Sequence, residues 1–351
     1  MQITKTREMK AKLSGLAKAF AIPVVLYFVL LVLIRERVGS WNSILTMLVL
    51  SVVPTITAYG VAFGFVSGIM DFSVGSRMIL AGMCAALAGH LLGLPGMLMA
   101  AIVSSLLLSL FVGGLYATLK IPSIVVSLGA LMIFEIAGMK LSSAVGTASS
   151  ALATGQYIKT PAALTFLGAV PWNFIILLAA AVLFHFCYDR TRFASQAKMV
   201  GSDEIIARNI GLRPMKVKFV TFVVGGVFLG IAAMVSACYS SAVGYKTEMA
   251  SLAMVFKPMM AVIIGMSLER FVRMSVGVFI GSLCISILFT GIIALGWPDS
   301  LQNVILGLFM LLVLAFPTIK SILADSKRRR QARQRFEKMA VGENVYEEAI
   351  K

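Results

Sequence analysis

Three ionisable side chains stand in otherwise apolar stretches and are the residues best placed to do chemistry: Asp71, Glu135 and Lys257. A charge amid apolar sequence is costly, so each is a candidate ligand, cap or member of a pair. Asp71 opens a polar cluster with Ser73, Gly75 and Ser76 in the run GIMDFSVGSRMILAG, Gly68 to Gly82. Such a carboxylate could hold an ion or a solute. We favour the alternative, that Asp71 or Ser73 caps the following helix, whose positive end attracts an anion. Glu135 and Lys257 could line a polar path and contact solute hydroxyls, pair with one another, or face a partner subunit. Pro258, next to Lys257, is expected to kink or break its helix.

Other chemistry finds no support. The chain contains no Gly-x-x-x-x-Gly-Lys-Ser/Thr phosphate loop, and His90 and His185 have no partner at metal-ligand spacing. Cys84, Cys187, Cys238 and Cys284 lie in or at the ends of apolar runs with no CxxC pair. No metal site and no disulfide framework is expected, and a Ser-His-Asp arrangement is not credible in a bilayer. The chain is not expected to be an enzyme, and any ATP hydrolysis must come from another chain.

The elements that position these residues follow from composition. Apolar residues make up 59% and charged residues 13%, with a mean hydropathy of +0.95. That lies outside the soluble globular range and marks an all-α polytopic membrane protein. Runs long enough to cross a bilayer number about ten, near 16–34, 44–66, 74–93, 97–119, 121–139, 172–188, 217–239, 249–267, 274–295 and 300–319. The first is read as a retained helix and not a cleaved signal. A net charge of +16 raises the question of nucleic acid. Its distribution answers it, since the basic residues cluster in the tail 1–15, the loop 189–217 and the tail 320–351, where they orient spans. Arg35, Arg37, Lys140, Lys159 and Lys246 fall outside, Lys257 falls in a span, and the other lysines and arginines fall inside, which predicts N-in and C-in. The spans 16–319 form the membrane domain. The external stretch 141–171 is expected to hold a short surface helix or to be mobile. The residues Met1 to Lys18 could lie as an amphipathic helix on the lipid surface. Trp41, Trp172 and Trp297 fall at outer ends of spans, as interfacial anchors do, while the spacing of Gly60 and Gly64 suits helix packing.

One long polar interruption, Ser195 to Lys218, divides the apolar sequence. Its middle predicts a short helix with Ser202 as N-cap, Asp203 and Glu204 in the first turn, and a stop at Gly211 and Pro214. Glu204 and Arg208 form an i,i+4 pair, and Ile206 and Ile210 share a face with Ala207 beside them. A helix of about eight residues is not stable alone, so it should dock against something.

Two motifs carry a family resemblance. GIMDFSVGS resembles the Gly-Gly-x-Asp-Leu-Ser-Val-Gly-Ser signature of bacterial ABC importer permeases of the ribose and simple-sugar class. Downstream, VGSDEIIARNIGLRPMKVKFVTFVVGGVFLGIAA is similar to that family's cytoplasmic loop, Gly-Gly-Asn-Glu-x-Ala-Ala-Arg-x-x-Gly-Ile, and the Gly-rich span after it. Asp71, Ser73, Gly75 and Ser76 match the first pattern, and Gly201, Glu204, Ala207, Arg208 and Gly211 match the second. The resemblance implies a subunit of the bacterial inner membrane that imports a small hydrophilic solute, a monosaccharide above all, by alternating access. It further implies cytoplasmic ABC ATPase subunits holding ATP and magnesium, a second permease chain in a homo- or heterodimer, and an extracytoplasmic solute-binding protein. The second motif would be the coupling helix that rests on the ATPase. One departure stands out: where the family has a glycine-rich turn, this chain reads IIGMSLERFVRMSVGVFIGS, keeping Gly265 and Ser267 but placing Glu269, Arg270 and Arg273 where glycines are usual. Close backbone approach is not expected there. The competing readings are an ion-coupled secondary transporter using Asp71 and Glu135, and a divergent scaffold or sensor subunit that does not transport.

Overall fold

A computed structural model describes residues 2–298, 301–302, 304–305, 307–308 and 311, with side chains from Gly15 onward. The chain divides into units 1–299 and 300–351. The first is described below. Most of the expected span 300–319 and all of the tail 320–351 lie outside the described residues.

Among the described residues of the first unit, eleven α-helices follow in order: α1 (Gln2–Leu33), α2 (Arg35–Val38), α3 (Trp41–Val66), α4 (Val74–Leu119), α5 (Ser123–Ala148), α6 (Trp172–His185), α7 (Arg192–Ser202), α8 (Glu204–Asn209), α9 (Pro214–Ser240), α10 (Ala253–Leu268) and α11 (Met274–Ala294). Eight described helical segments are long and apolar enough to cross a membrane. The stretch 2–15, expected as a separate tail, continues the first span as one helix.

The longest of these segments is two arms. α4 has 46 residues, but Gly93 sits at φ 65° and ψ −150°, a conformation outside any helix. Residues 77 and 109 would stand about 48 Å apart along a straight helix, yet an Arg77 Nη1 donates to Ser109 Oγ at 2.7 Å. The chain therefore folds back at Gly93 and Pro95, which separates the spans expected at 74–93 and 97–119. Both arms share an apolar cluster with α5 and α9: Leu80, Val112, Tyr116, Ala130, Phe134 and Phe222.

Lipid is as apolar as leucine, so helices in a membrane associate by close packing of small residues. α3 and α9 do this at Gly60 and Gly225, where a Cβ on either residue would come 2.8 Å from the other's carbonyl oxygen. The second arm of α4 meets α9 similarly, with Ser105 Oγ donating to the Gly226 carbonyl at 2.7 Å.

One end of the bundle carries a small sheet, a minor exception to the all-α expectation. β1 (Ala153–Thr154), β2 (Tyr157–Lys159) and β3 (Ala242–Gly244) pair antiparallel in the order β1-β2-β3. The stretch 141–171 holds a short helix, as expected, but of the 3-10 type and joined to a hairpin that was not expected. It continues α5, forms the hairpin, and closes with a 3-10 turn at Ala162–Gly168. Ala153 and Ile158 pack on Ile79, Met83 and Ala86 of α4, which fixes the sheet to the bundle. α7 and α8 lie at the opposite end of α9, which is 27 residues long.

The Gly93 hairpin yields a direct prediction. No atom lies within 4 Å of a Cβ built at Gly93 or at Gly114, so substitutions there differ only in backbone cost. Gly93→Ala should destabilise the purified protein by about 1–3 kcal/mol. Gly114→Ala, inside the helix, should be neutral or stabilising by up to about 1 kcal/mol. Thermal unfolding of the two variants in one detergent checks the contrast, and equal midpoints would remove the hairpin.

Candidate functional site

The polar interruption folds into two helices. Thr191 caps α7, its hydroxyl accepting from Ala194 N at 3.4 Å. Ser202 does not cap α8: it ends α7, with its hydroxyl donating to the Lys198 carbonyl at 3.0 Å. The cap is Asp203, which has extended backbone and accepts from the amides of Ile205 at 2.8 Å and Ile206 at 3.0 Å. Its carboxylate oxygen and β-region backbone let it reach both orphan donors. At the other end Gly211 takes φ +85°, its N–H bonds the Arg208 carbonyl at 2.9 Å, and Leu212 N bonds the Ala207 carbonyl at 3.0 Å. This is a Schellman stop, which needs the left-handed residue that glycine supplies.

Glu204 joins two cations, Arg208 at 3.1 Å and Lys218 at 2.9 Å. The hydrogen bond from Lys218, aided by Arg208, holds the Glu204 carboxyl below its usual range. The pairing with Lys218 fastens α8 to the start of α9. Ala207 differs from the expectation. It is buried with Ala197, Val200 and Val217 in the loop's own small core, so it faces inward. The exposed apolar face belongs instead to Ile205, Ile206 and Ile210, with exposures of 73%, 60% and 59%.

The loop is seated firmly on the bundle. A Cβ at Gly201 would run into the carbonyl of Val66 at the end of α3, so only glycine permits that approach. Phe193 of α7 stacks near Phe63 at 6.1 Å, within an aromatic cluster that includes Tyr59, Phe184, Tyr188 and Phe228. Charges missing from the family pattern add further ties. Lys198 pairs with Glu269 at 2.9 Å, and an Arg273 Nη lies 2.8 Å from His185 Nε2. A guanidinium only donates, so Nε2 accepts, while Nδ1 lies 2.5 Å from the Asp189 carboxylate one turn on. Close approach nonetheless survives beside this turn: a Cβ at Gly277 would come 2.9 Å from the Gly265 carbonyl oxygen. Gly265 and Gly277 supply that approach on either side of the turn, without the turn glycines.

Asp71 is neither a free ligand nor a helix cap. One oxygen accepts from Ser73 N at 3.0 Å and Ser73 Oγ at 2.7 Å. The other pairs with Arg77, which is 1% exposed and is the largest fully buried side chain described. Ser73 sits at the N-cap position of α4 but makes no side-chain cap bond there, because its hydroxyl is committed to Asp71. Ser76 donates to the Ser73 carbonyl at 2.9 Å. Arg77 and Ser109 are absent from the sequence candidates. An arginine inside an apolar run, six residues after Asp71, is the signal that could have found the pair.

Glu135 and Lys257 do not pair. Midway along α5, Glu135 accepts from the amides of Met249 and Ser251, one on each oxygen and both at 2.9 Å. These amides lie between α9 and α10, at the start of a 3-10 turn (Ala250–Leu252) that follows Glu248 and Met249, both of positive φ. Lys257 Nζ stands 4.4 Å from the centre of the Phe289 ring on α11. Pro258 lies inside α10 and does not end it. The break in this span precedes the 3-10 turn that leads into α10, at 241–249. Gly75 lets the two sites meet, since a Cβ there would collide with the Ser251 carbonyl.

Two predictions follow from these carboxylates. Asp71→Ala leaves Arg77 buried without its counter-charge and should cost about 3–5 kcal/mol, whereas Asp71→Leu with Arg77→Met should recover most of that loss. Thermal midpoints of the single and double variants check this, and an additive cycle would rule out the pair. Glu135→Gln keeps only one accepting oxygen and should cost about 1–3 kcal/mol. Exchanging the charges of Glu135 and Lys257 should not rescue it, and a rescue would restore the pairing that the geometry replaces.

Comparison with known proteins agrees with this architecture. The family model described as branched-chain amino acid transport system / permease component matches residues 43–314. The chain is 28% identical over 322 residues to the autoinducer 2 import system permease protein LsrC of Shigella flexneri, covering 90% of each chain. It is similar to the protein of the same name from Salmonella typhi, at 27% identity over 90% of this chain and 89% of the relative. The Salmonella paratyphi B protein of that name is 29% identical over 274 residues, 76% of this chain and 75% of its own. That family is a transport permease and not a nucleotide-binding subunit. The match spans more than half of the chain, which with its apolar helices belongs to the branched-chain amino acid transport system / permease component family, as a multi-pass permease subunit of the bacterial inner membrane.

Proposed function

We propose that this permease imports a small, neutral, hydroxylated solute of the sugar class, with ATP and magnesium held by separate cytoplasmic ATPase subunits that dock on α8. The single observation that carries the docking role is the exposed face of Ile205, Ile206 and Ile210 on a six-residue helix closed by its own cap and Schellman stop. Three exposed isoleucines beyond the apolar spans call for a protein partner. The seating of Gly201 on α3, and the ties from Lys198 to Glu269 and from Glu204 to Lys218, would carry a push on α8 into the bundle. On this reading α7 and α8 are cytoplasmic, the chain is N-in and C-in, and the sheet end faces a solute-binding protein. A second permease chain completes the path.

The solute class is supported by the relatives, whose printed names specify an autoinducer 2 import system. The family description names branched-chain amino acids. An amino acid brings two charges, and the two carboxylates described within the bundle's apolar stretches are already engaged, the part-buried Asp71 with Arg77 and the buried Glu135 with two backbone amides. The same engagement weighs against an ion-coupled transporter, which needs a carboxylate free to bind its ion.

Glu204→Arg places like charges beside Arg208 and Lys218, and Gly211→Val forces a β-branched residue into φ +85°. Each should uncouple ATP hydrolysis from uptake while the permease stays folded and inserted. Uptake and ATPase rates measured together in proteoliposomes with the partner subunits check this. Normal uptake in both variants would refute the coupling role of α8.

A further inference from the structure

Asn173, the second residue of α6, is 1% exposed, and neither its Oδ1 nor its Nδ2 has a hydrogen-bond partner among the described residues. An amide buried this way costs free energy unless something else satisfies it. It lines a cavity of about 110 Å³ between α3, α6 and α9, roofed by Gly168 of the 3-10 turn. A single water needs roughly 10–15 Å³ by the same measure, so the space suits a larger guest. Val49, Val52 and Val53 form an apolar wall, Ser236 lies opposite, and no charged residue lines the cavity. Leu50 and Tyr239, 39% and 49% exposed, stand at its mouth.

The level of the cavity identifies the guest. Trp172, 47% exposed, precedes Asn173 at the start of α6, and Tyr239 lies at the end of α9. Exposed Trp and Tyr at the ends of spans mark the headgroup boundary, and the valines of α3 extend from there toward the hydrocarbon. A ligand at that depth has an apolar body and a neutral polar junction. An unpaired amide offers one acceptor and two donors, which match a hydroxyl and an ester carbonyl. We infer that this cavity is a binding site for a hydroxyl-bearing glycerolipid, whose hydroxyl donates to Asn173 Oδ1 and whose ester carbonyl accepts from Nδ2. The site is separate from the α8 face and from Asp71 and Glu135, and it does not depend on which solute is carried.

The test uses the full chain in detergent, with dioleoylglycerol, its O-methyl ether and free glycerol as probes in native mass spectrometry. Dioleoylglycerol should bind the wild type, and the ether, which lacks the hydroxyl hydrogen, should bind several-fold more weakly. Asn173→Leu, which loses both neutral hydrogen bonds, should reduce dioleoylglycerol binding by about tenfold or more. Val53→Phe, which fills the cavity from α3 and leaves the amide in place, should do the same. The leucine variant should keep or raise the thermal midpoint, since an apolar side chain of similar size replaces an unpaired amide, but should lose the lipid's stabilising shift. Equal binding of alcohol and ether would overturn the site, as would undiminished binding in both variants. Displacement of the lipid by glycerol at matched concentration would overturn the lipid and leave a polyol pocket.

Discussion

Backbone inside a bilayer must find its hydrogen bonds within the protein, because lipid offers none. In this chain the constraint bites where spans are interrupted, and two carboxylates, the part-buried Asp71 and the buried Glu135, meet it. Asp71 holds the start of α4 by accepting from Ser73 and neutralising Arg77. Glu135 reaches from α5 to take both free amides of the strained segment before α10. The two supports touch at Gly75 and Ser251, so neither interruption is held alone. The cost of keeping charge in an apolar setting is offset here by the backbone order it secures.

The α7–α8 end follows a different logic. It is polar and short, and it gains order from its attachments instead of its own helix propensity. Glycine at 201 admits the carbonyl of Val66, stacked aromatic rings join α7 to α3, and Glu204 is shared between α8 and α9. What remains exposed is a small apolar face on a rigid seat, the form expected of an element that receives force from outside. The charged turn at Glu269 to Arg273 adds ties to α7 and to the end of α6 that a glycine turn could not make.

Close packing supplies the rest. Small residues at Gly60, Gly225, Gly226, Gly265 and Gly277 bring helices near enough for dispersion and weak polar contacts to act without a hydrophobic drive. The Gly93 reversal then places both arms of α4 against α9, so that a 46-residue stretch becomes two spans of one bundle.

By itself the sequence determined the membrane class, the position of nearly every described span, the two family motifs, the Glu204–Arg208 pair and the stop at Gly211. Those features are local or compositional: hydropathy over about twenty residues, i,i+4 spacing and a left-handed residue all act within a few turns of chain. Tertiary structure alone decided the partners of the buried charges. Arg77 for Asp71, two distant amides for Glu135 and a phenyl ring for Lys257 depend on which helices become neighbours. Ala207 turned inward for the same reason, since which face of a short helix is covered depends on what lies beside it. An interrupted span shows in sequence as polar residues, but the groups that satisfy its backbone lie more than a hundred residues away for Glu135, and only the folded bundle brings them within 3 Å.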